Sequence, residues 1–396
     1  MATAQQTPVA PADLDPFLPE HLDDPYPLYT RLRELGPAVL LEGRNVWLVT
    51  GYAAMSEVLR DYRTYVSGLG TSYVRVADSG YRFPFIDNDP PEHSRIRRAV
   101  QGSFSRRAVE DLRPLVDAHV GRLLAAAAGG SVVDVMDAVA RPLPDLAVRD
   151  LTGVVPPSTA TMAAWADAVF HVLGPEPAPG HYELVGQATA WLAGDGLAAL
   201  PEHCLGRQII DDGGPGGGLA EGEERLLALA SIWAAGVDTT TALIGNLLHA
   251  FATHPDQWQA VVDEPELASS AVEEALRWES PIRVFLRRTS QTADLGGVTI
   301  PADADICALF PAANRDPAHY PDPDQFDVRR NPTDHLALGA SIHLCLGAPV
   351  ARLEVVELVR ALIERVDHLE LAGEPVRNPS RVIRGFTSLP MRLVMR

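Results

Sequence analysis

The 396-residue chain is 46% hydrophobic, enough to bury a substantial core, and carries a formal net charge of −19. That charge excludes broad electrostatic attraction to nucleic acid or to an anionic membrane surface. Its three cysteines, Cys204, Cys307 and Cys345, lack CxxC spacing, which excludes a disulfide framework and a structural zinc site.

Residues 1–20 are Pro-rich and acidic rather than basic and then apolar, and no uninterrupted apolar run is long enough to span a bilayer. A cytoplasmic protein is expected. Helical periodicity runs from Pro27 to Leu35 and from Ala53 to Arg60, and between them VLLEG and NVWLVT read as short strands. From about residue 105 to 210 the pattern is a series of Ala- and Leu-rich amphipathic helices broken at Pro142, Pro156, Pro175 and Pro201. GGPGGG at 213–218 is a surface loop. A long helix is predicted from Glu221 to Ala252, about 45 Å at 1.5 Å per residue, stopping before His254 and Pro255. Helices at Pro265 to Trp278 and Val350 to Val366 bracket a Pro/Gly-rich region with short strands such as GGVTI at 296–300. The expected fold is mainly α with small β-sheets, in a single domain over 1–396.

Four segments carry chemistry. In HLALGASIHLCLGAPVARLE, residues 335–354, Cys345 ends an irregular loop immediately before a helix, where orphan N–H groups and the helix dipole stabilise a thiolate. A lone cysteine at such a place is more often a buried structural residue. In AAGVDTTTA, residues 234–242, Gly236 interrupts the long helix at a cost of about 1 kcal/mol relative to Ala, which close approach of a ligand would explain. The Asp-Thr-Thr that follows could also make only local hydrogen bonds. EALR at 274–277 sets Glu274 and Arg277 on one helical face, and DPPEHSRIRR at 89–98 does the same for His93 and Arg97.

Together these segments resemble the cytochrome P450 family. From His335 through Gly339, His343, Cys345, Gly347, Ala351, Arg352 and Glu354 the cysteine segment is similar to that family's haem-binding loop. It departs at Leu338, where Phe is usual, and at Ser341, where a second Gly is usual, so Ser341 must adopt a glycine-like backbone or reshape the turn. The resemblance continues through AANRDP at 312–317 and DPDQFD at 322–327 and so covers essentially the whole chain. It implies the cytochrome P450 fold, with haem b (iron protoporphyrin IX) between the long central helix and the cysteine-loop helix. Cys345 would be the iron ligand, with Gly236, Gly339 and Gly347 close to the porphyrin. Asp238 and Thr239 would be the acid-alcohol pair that relays protons to oxygen. His93, Arg97, Arg287 and His335 would hold the propionates, and Glu274 and Arg277 would join Arg329 or Arg330 in bracing the cysteine loop. With no sequence left over for a reductase, electrons would come from a ferredoxin with its ferredoxin reductase. Arg95, Arg98, Arg106 and Arg107 form a basic exception to the acidic surface where it would dock.

A narrower resemblance concerns substrate. VFHVLGP at 169–175, ESPIRVFLR at 279–287 and RGFTSLP at 384–390 resemble the bacterial branch that oxidises para-substituted benzoic acids. It implies that Phe170, Leu173, Val237, Ile282 and Phe285, with Ser231 and Ala234, line a flat apolar pocket. Core packing is the competing reading for each. Arg75, Tyr81 or Arg82 could anchor a carboxylate. Ala234 stands where that branch has a polar residue. The alternatives are a tailoring hydroxylase of a macrolide or other secondary metabolite, a peroxide-driven haem-thiolate enzyme and a haem protein without turnover. The intact Asp238 and Thr239 favour an oxygen-using monooxygenase.

Overall fold

The computed structural model describes residues 7–75, 82–127 and 131–396. Near the N-terminus, α1 (Tyr26–Leu35) turns Leu28, Tyr29 and Leu32 inward. The hairpin of β1 (Ala38–Leu41) and β2 (Val46–Val49) follows, and then α2 (Tyr52–Arg60). Beyond α2 lies the short β3 (Tyr65–Val66). The hairpin is completed by residues about 260 positions later, because β2 pairs in parallel with β8 (Asp305–Leu309), which pairs with β5 (Val284–Thr289) and through it β3. The first and last thirds of the chain are thus closed on each other.

The middle is helical. It comprises α3 (Glu92–Val100), α4 (Arg106–Ala127), α5 (Pro142–Thr152), α6 (Thr159–Leu173), α7 (Pro179–Trp191) and α8 (Leu205–Asp212). The prolines punctuate as physics requires: Pro142 and Pro179 sit in first turns, where a missing N–H costs nothing. Ser158 caps α6 by accepting a hydrogen bond from Thr161 N at 3.0 Å. Pro114 is the exception, lying inside α4.

The long helix α9 (Glu223–Thr253) spans 31 residues, within two positions of its expected ends. An 18-residue window of α9 has mean hydropathy 1.4, apolar enough for a bilayer, but 56% of it is buried inside the protein. Its apolarity is that of a core helix wrapped on most sides. After it come α10 (Pro255–Asp263), α11 (Ala268–Trp278), the single turn α12 (Phe310–Asn314) and α13 (Ala348–Arg365). Small ladders complete the chain: β6 (Ala293–Leu295) with β7 (Val298–Ile300), and β10 (Val376–Arg377) with β11 (Phe386–Ser388). A third sheet joins β4 (Val133–Asp134), β12 (Pro390–Met395) and β9 (Val366–Leu371).

The class is mainly α with small sheets, as expected. One core packs α4, α5, α9, α11 and α13 together; a second joins α1, α2 and the five-stranded sheet, and also takes in Phe170, Leu173 and Ile282. The cavity described next is walled by both.

Candidate active site

The floor of the cavity is the cysteine loop. Cys345 N donates to Leu338 O at 2.8 Å, closing the loop, and the Cys345 sulfur accepts the N–H groups of Gly347 and Ala348 at the start of α13. Burial pushes the thiol pKa up, while these N–H groups, Arg97 and Arg352 pull it down; the net shift is upward. The sulfur therefore holds its proton until a metal displaces it, the usual coupling of thiolate formation to metal binding. Its accessible surface faces the cavity. Gly339 has φ of +73° and Ser341 +57°, so Ser341 adopts the left-handed backbone of the glycine it replaces. A Cβ on Gly347 would meet nothing within 4 Å. The backbone there fronts open space.

The ceiling is α9, whose Ser231, Ala234, Ala235, Gly236 and Thr239 line the cavity. Thr239 Oγ1 donates to Ala235 O at 2.9 Å, which draws the hydroxyl across one turn of the helix. Gly236 lines the cavity, and a Cβ on it would also lie 2.6 Å from Val148 Cγ2 of α5, so close helix packing is a second reason for glycine there. One expectation needs correction. Val237 is 2% exposed and belongs to the core rather than to the cavity wall. Asp238 also points away from the cavity, with Oδ2 buried and unpartnered. Burial and the neighbouring Asp167 carboxylate push its pKa up to about 7, although His171 and Arg141 pull it back.

At one edge four cationic or donor groups converge, none of them paired with a carboxylate among the described residues. His93 and His343 meet with ring centroids 4.5 Å apart, and all four of their ring nitrogens are buried without a partner. Arg97 donates to Leu344 O at 2.6 Å and Arg287 to Leu286 O at 2.8 Å, both backbone carbonyls rather than carboxylates. Burial pulls the Arg287 pKa down to about 10 despite Asp89 and Asp87. Burial, Arg287 and His93 drive His343 down to about 2. His335 does not join this group. Its Nε2 lies 3.1 Å from Glu273 Oε2, outside the cavity lining, so its expected place is taken by His343. His343 was legible in the sequence, two residues before the cysteine.

Behind the loop, Arg277 and Glu274 form a fully buried bidentate pair at 2.7 Å on both arms. Glu274 also accepts from Asp327 N and from Arg330, while Arg277 donates to the carbonyls of Asn314, Pro323 and Gln325. Arg329 takes no part; it pairs with Glu264 at the surface. A second carboxylate, Glu273, binds Arg352 of α13 at 2.6 and 2.8 Å, tying α11 to the cysteine-loop helix. Glu354, 1% exposed, lines the cavity with Oε2 unpartnered, and burial drives its pKa well up.

The remaining wall is apolar. Phe170, Leu173, Ile282 and Phe285 line it as expected, and Trp165 and Trp233 join from α6 and α9. The two indoles form a cluster with Trp191, all centroids within 5.8 Å. Periodicity could not single out Trp165 and Trp233, because both are 7% exposed or less and look like core. Arg82 lines the cavity, but its guanidinium donates to the carbonyls of Gly68 and Asp87, while Arg75 is engaged by Asp303 and Asp305. Tyr81 lies outside the described residues.

A flat, apolar macrocycle with two carboxylates and a metal needing a soft ligand fits this cavity. Open space fronts Gly347, a sulfur faces inward, and the unpartnered rings of His93 and His343 lie beside Arg97 and Arg287, neither of which pairs with a carboxylate among the described residues. The residues present therefore suit haem b.

Comparison with known proteins agrees. The family model "Cytochrome P450" matches residues 220–391. The chain is 37% identical to the cytochrome P450 monooxygenase PikC of Streptomyces venezuelae, over 98% of this chain and 96% of that protein. It is 33% identical to the cytochrome P450 CYP199A2 of Rhodopseudomonas palustris, over 96% and 93%. The solved structure of cytochrome P450 CYP109Q5 from Chondromyces apiculatus superposes with a TM-score of 0.82 at 28% identity, covering 96% of this chain and 98% of that one. On fold, cavity and identity along nearly its whole length, the chain belongs to the cytochrome P450 family of haem b monooxygenases.

Proposed function

We propose that the chain, acting as one domain over residues 1–396, hydroxylates a neutral and mostly apolar organic molecule of the macrolide or related secondary-metabolite kind. The observation that carries this reading is the distal wall. Of the described cations that line the cavity, Arg82 is held by the carbonyls of Gly68 and Asp87, and Arg97 and Arg287 are the ones the propionates take. A substrate carboxylate would have to be desolvated there without a free described partner, which costs several kcal/mol. Relatives named for such substrates support it, among them the 6-deoxyerythronolide B hydroxylase of Saccharopolyspora erythraea at 34% identity. An aromatic acid is the second reading, favoured by Phe170, Leu173, Ile282 and Phe285 all lining the cavity.

In this mechanism Cys345 is the iron ligand, and the bound haem supplies oxygen reduction and the transfer of one oxygen atom to carbon. The N–H groups of Gly347 and Ala348 steady the thiolate and limit its basicity. His93, His343, Arg97 and Arg287 fix the propionates and so the orientation of the ring. Thr239, anchored on Ala235 O, presents its hydroxyl at the ceiling, and Asp238, poised near neutrality, takes up and releases protons for it. Apolar side chains exclude water and hold substrate against the open side. Electrons come from a separate ferredoxin and its reductase in the cytoplasm, docking on exposed Arg98, Arg106 and Arg107. Arg95 is removed from this set because it is tied to Glu92 and Glu224.

The test is a spin-state titration of the ferric protein with 6-deoxyerythronolide B and, separately, with 4-methoxybenzoate. A high-spin shift with the macrolactone alone is expected; a shift with the benzoate alone establishes the second reading.

A further inference from the structure

Val169, Phe170 and Leu173 of α6 and Val185, Ala188 and Thr189 of α7 line one wall of the cavity. Between these two helices lies a small apolar cluster of its own, Ala168, Val172 and Val185, separate from the two main cores. A satellite cluster of this size opens at a lower free energy than a main core. Near the turn that joins the helices, one histidine from each meets the other. The rings of His171 and His181 have centroids 4.2 Å apart at a 31° tilt.

Each ring has one nitrogen committed. His171 Nδ1 lies 3.0 Å from Asp167 O and 3.2 Å from Asp167 Oδ2, both acceptors, so it carries a hydrogen and Nε2 is the nitrogen that gains or loses one. His181 is the reverse. Its Nδ1 accepts from Ala178 N at 3.1 Å, so the hydrogen of the neutral ring is on Nε2 and a second proton has to enter at Nδ1. That atom holds the entry to α7, where Ala178 provides no side-chain cap. Once protonated, Nδ1 faces the Ala178 N–H donor to donor, and the bond is lost.

The charged groups that act on the pair, among the described residues, are Asp167 on α6 and Asp238 on α9. Burial pulls the His171 pKa down, but the hydrogen bond and charge of Asp167, with the charge of Asp238, raise it overall. Burial and the charge of His171 lower that of His181, against Asp167. The first proton therefore settles on His171, and it resists the second. Asp167 shares α6 with His171 and stays with it when α7 moves, so the pH dependence of opening lies in His181. Its value in the closed arrangement is below the ordinary 6.5, so the closed arrangement is fully favoured above pH 6.5 and loses ground as pH falls through it.

We propose that His171 and His181 form a pH-sensitive clasp between α6 and α7: protonation of His181 at Nδ1 uncaps α7 and loosens the cavity wall that the two helices share, whatever the substrate.

The test uses the holoenzyme and needs no substrate. Hydrogen exchange of the α7 amides from Tyr182 to Val185, corrected for the intrinsic rate, is followed from about pH 7.5 down to about pH 5.5. Protection in wild type is expected to fall several-fold. H181Q, whose amide oxygen accepts from Ala178 N as in a capping box and does not titrate, is expected to keep its protection throughout. H181K, charged and without an acceptor, is expected to lack that protection already at about pH 7.5. H171Q removes the opposing charge and is expected to move the midpoint to higher pH. Protection that ignores pH in wild type, or that falls equally in H181Q, overturns the proposal, and an unmoved midpoint in H171Q overturns the pairing. The cavity is read separately, by the recombination of carbon monoxide with the reduced haem after flash photolysis. It is expected to speed up several-fold over the same fall in pH in wild type but not in H181Q; equal rates would overturn the coupling of the clasp to the cavity.

Discussion

His343 and His93 meet edge to face, ring centroids 4.5 Å apart, with every ring nitrogen buried and unpartnered. Two histidines in that condition are costly unless something accepts their hydrogens. Haem propionates do so, and Arg287 and Arg97 beside them supply the matching charge. The expected outcome of His343→Phe, which keeps ring packing but removes the donors, is loss of about 1.5–3 kcal/mol of haem binding, or about 10- to 100-fold faster haem transfer to a haem-accepting protein. An unchanged transfer rate would remove His343 from the propionate set.

Ser341 occupies a left-handed backbone at φ +57° that glycine adopts without strain. Ser341→Gly is therefore expected to stabilise the folded loop by about 1 kcal/mol, less a few tenths for the added freedom of the unfolded chain. Chemical denaturation of the holoenzyme, read as a shift of midpoint at constant slope, checks it.

Glu273 links acid stability to the cysteine loop. Burial would raise its pKa, but the hydrogen bonds of Arg352 and His335 hold it at about 2. Because the folded value lies below the unfolded one of about 4.5, its contribution is fully present above pH 4.5 and is lost as pH falls toward 2. Wild type should be more stable than Glu273→Gln at pH 7, with the gap narrowing through that window. A pH-independent gap would assign the contribution to packing alone.

Arg98 on α3 and Arg107 in the first turn of α4 are exposed on an otherwise acidic protein. Charge reversal at both should slow reduction by a ferredoxin at least tenfold at low salt, with the difference shrinking as salt screens it. Equal rates at all salt concentrations would place the docking surface elsewhere.

Much of this architecture was legible because it rests on local rules. The ends of α9 follow from the apolar run and the His254-Pro255 stop, and the pairing of Glu274 with Arg277 from their spacing on one face, whereas their burial as a brace follows only from the family resemblance. What resisted was set by partners distant in sequence. Strands β9 and β12 are recognisable only as a pair, since each is a short segment whose ladder lies in the other. Sequence suggests room for a ligand at Gly236 but cannot show that Val148, 88 residues earlier, presses on it as well. His335 and His343 are equally good donors as residue types. Only the folded loop turns one toward Glu273 and the other into the cavity. The two cavity tryptophans are hidden by their burial, which is what a core position and a closed pocket have in common.

Every role assigned above depends on Cys345 ligating haem iron as a thiolate. The most direct measurement is the difference spectrum of the reduced protein under carbon monoxide, in wild type and in Cys345→His. Wild type is expected to show the strongly red-shifted Soret band of a thiolate-ligated carbonyl complex, replaced in the variant by the shorter-wavelength band of an imidazole-ligated one. A shorter-wavelength band in well-folded wild-type protein, unchanged by the substitution, would contradict the ligand assignment and the mechanism built on it.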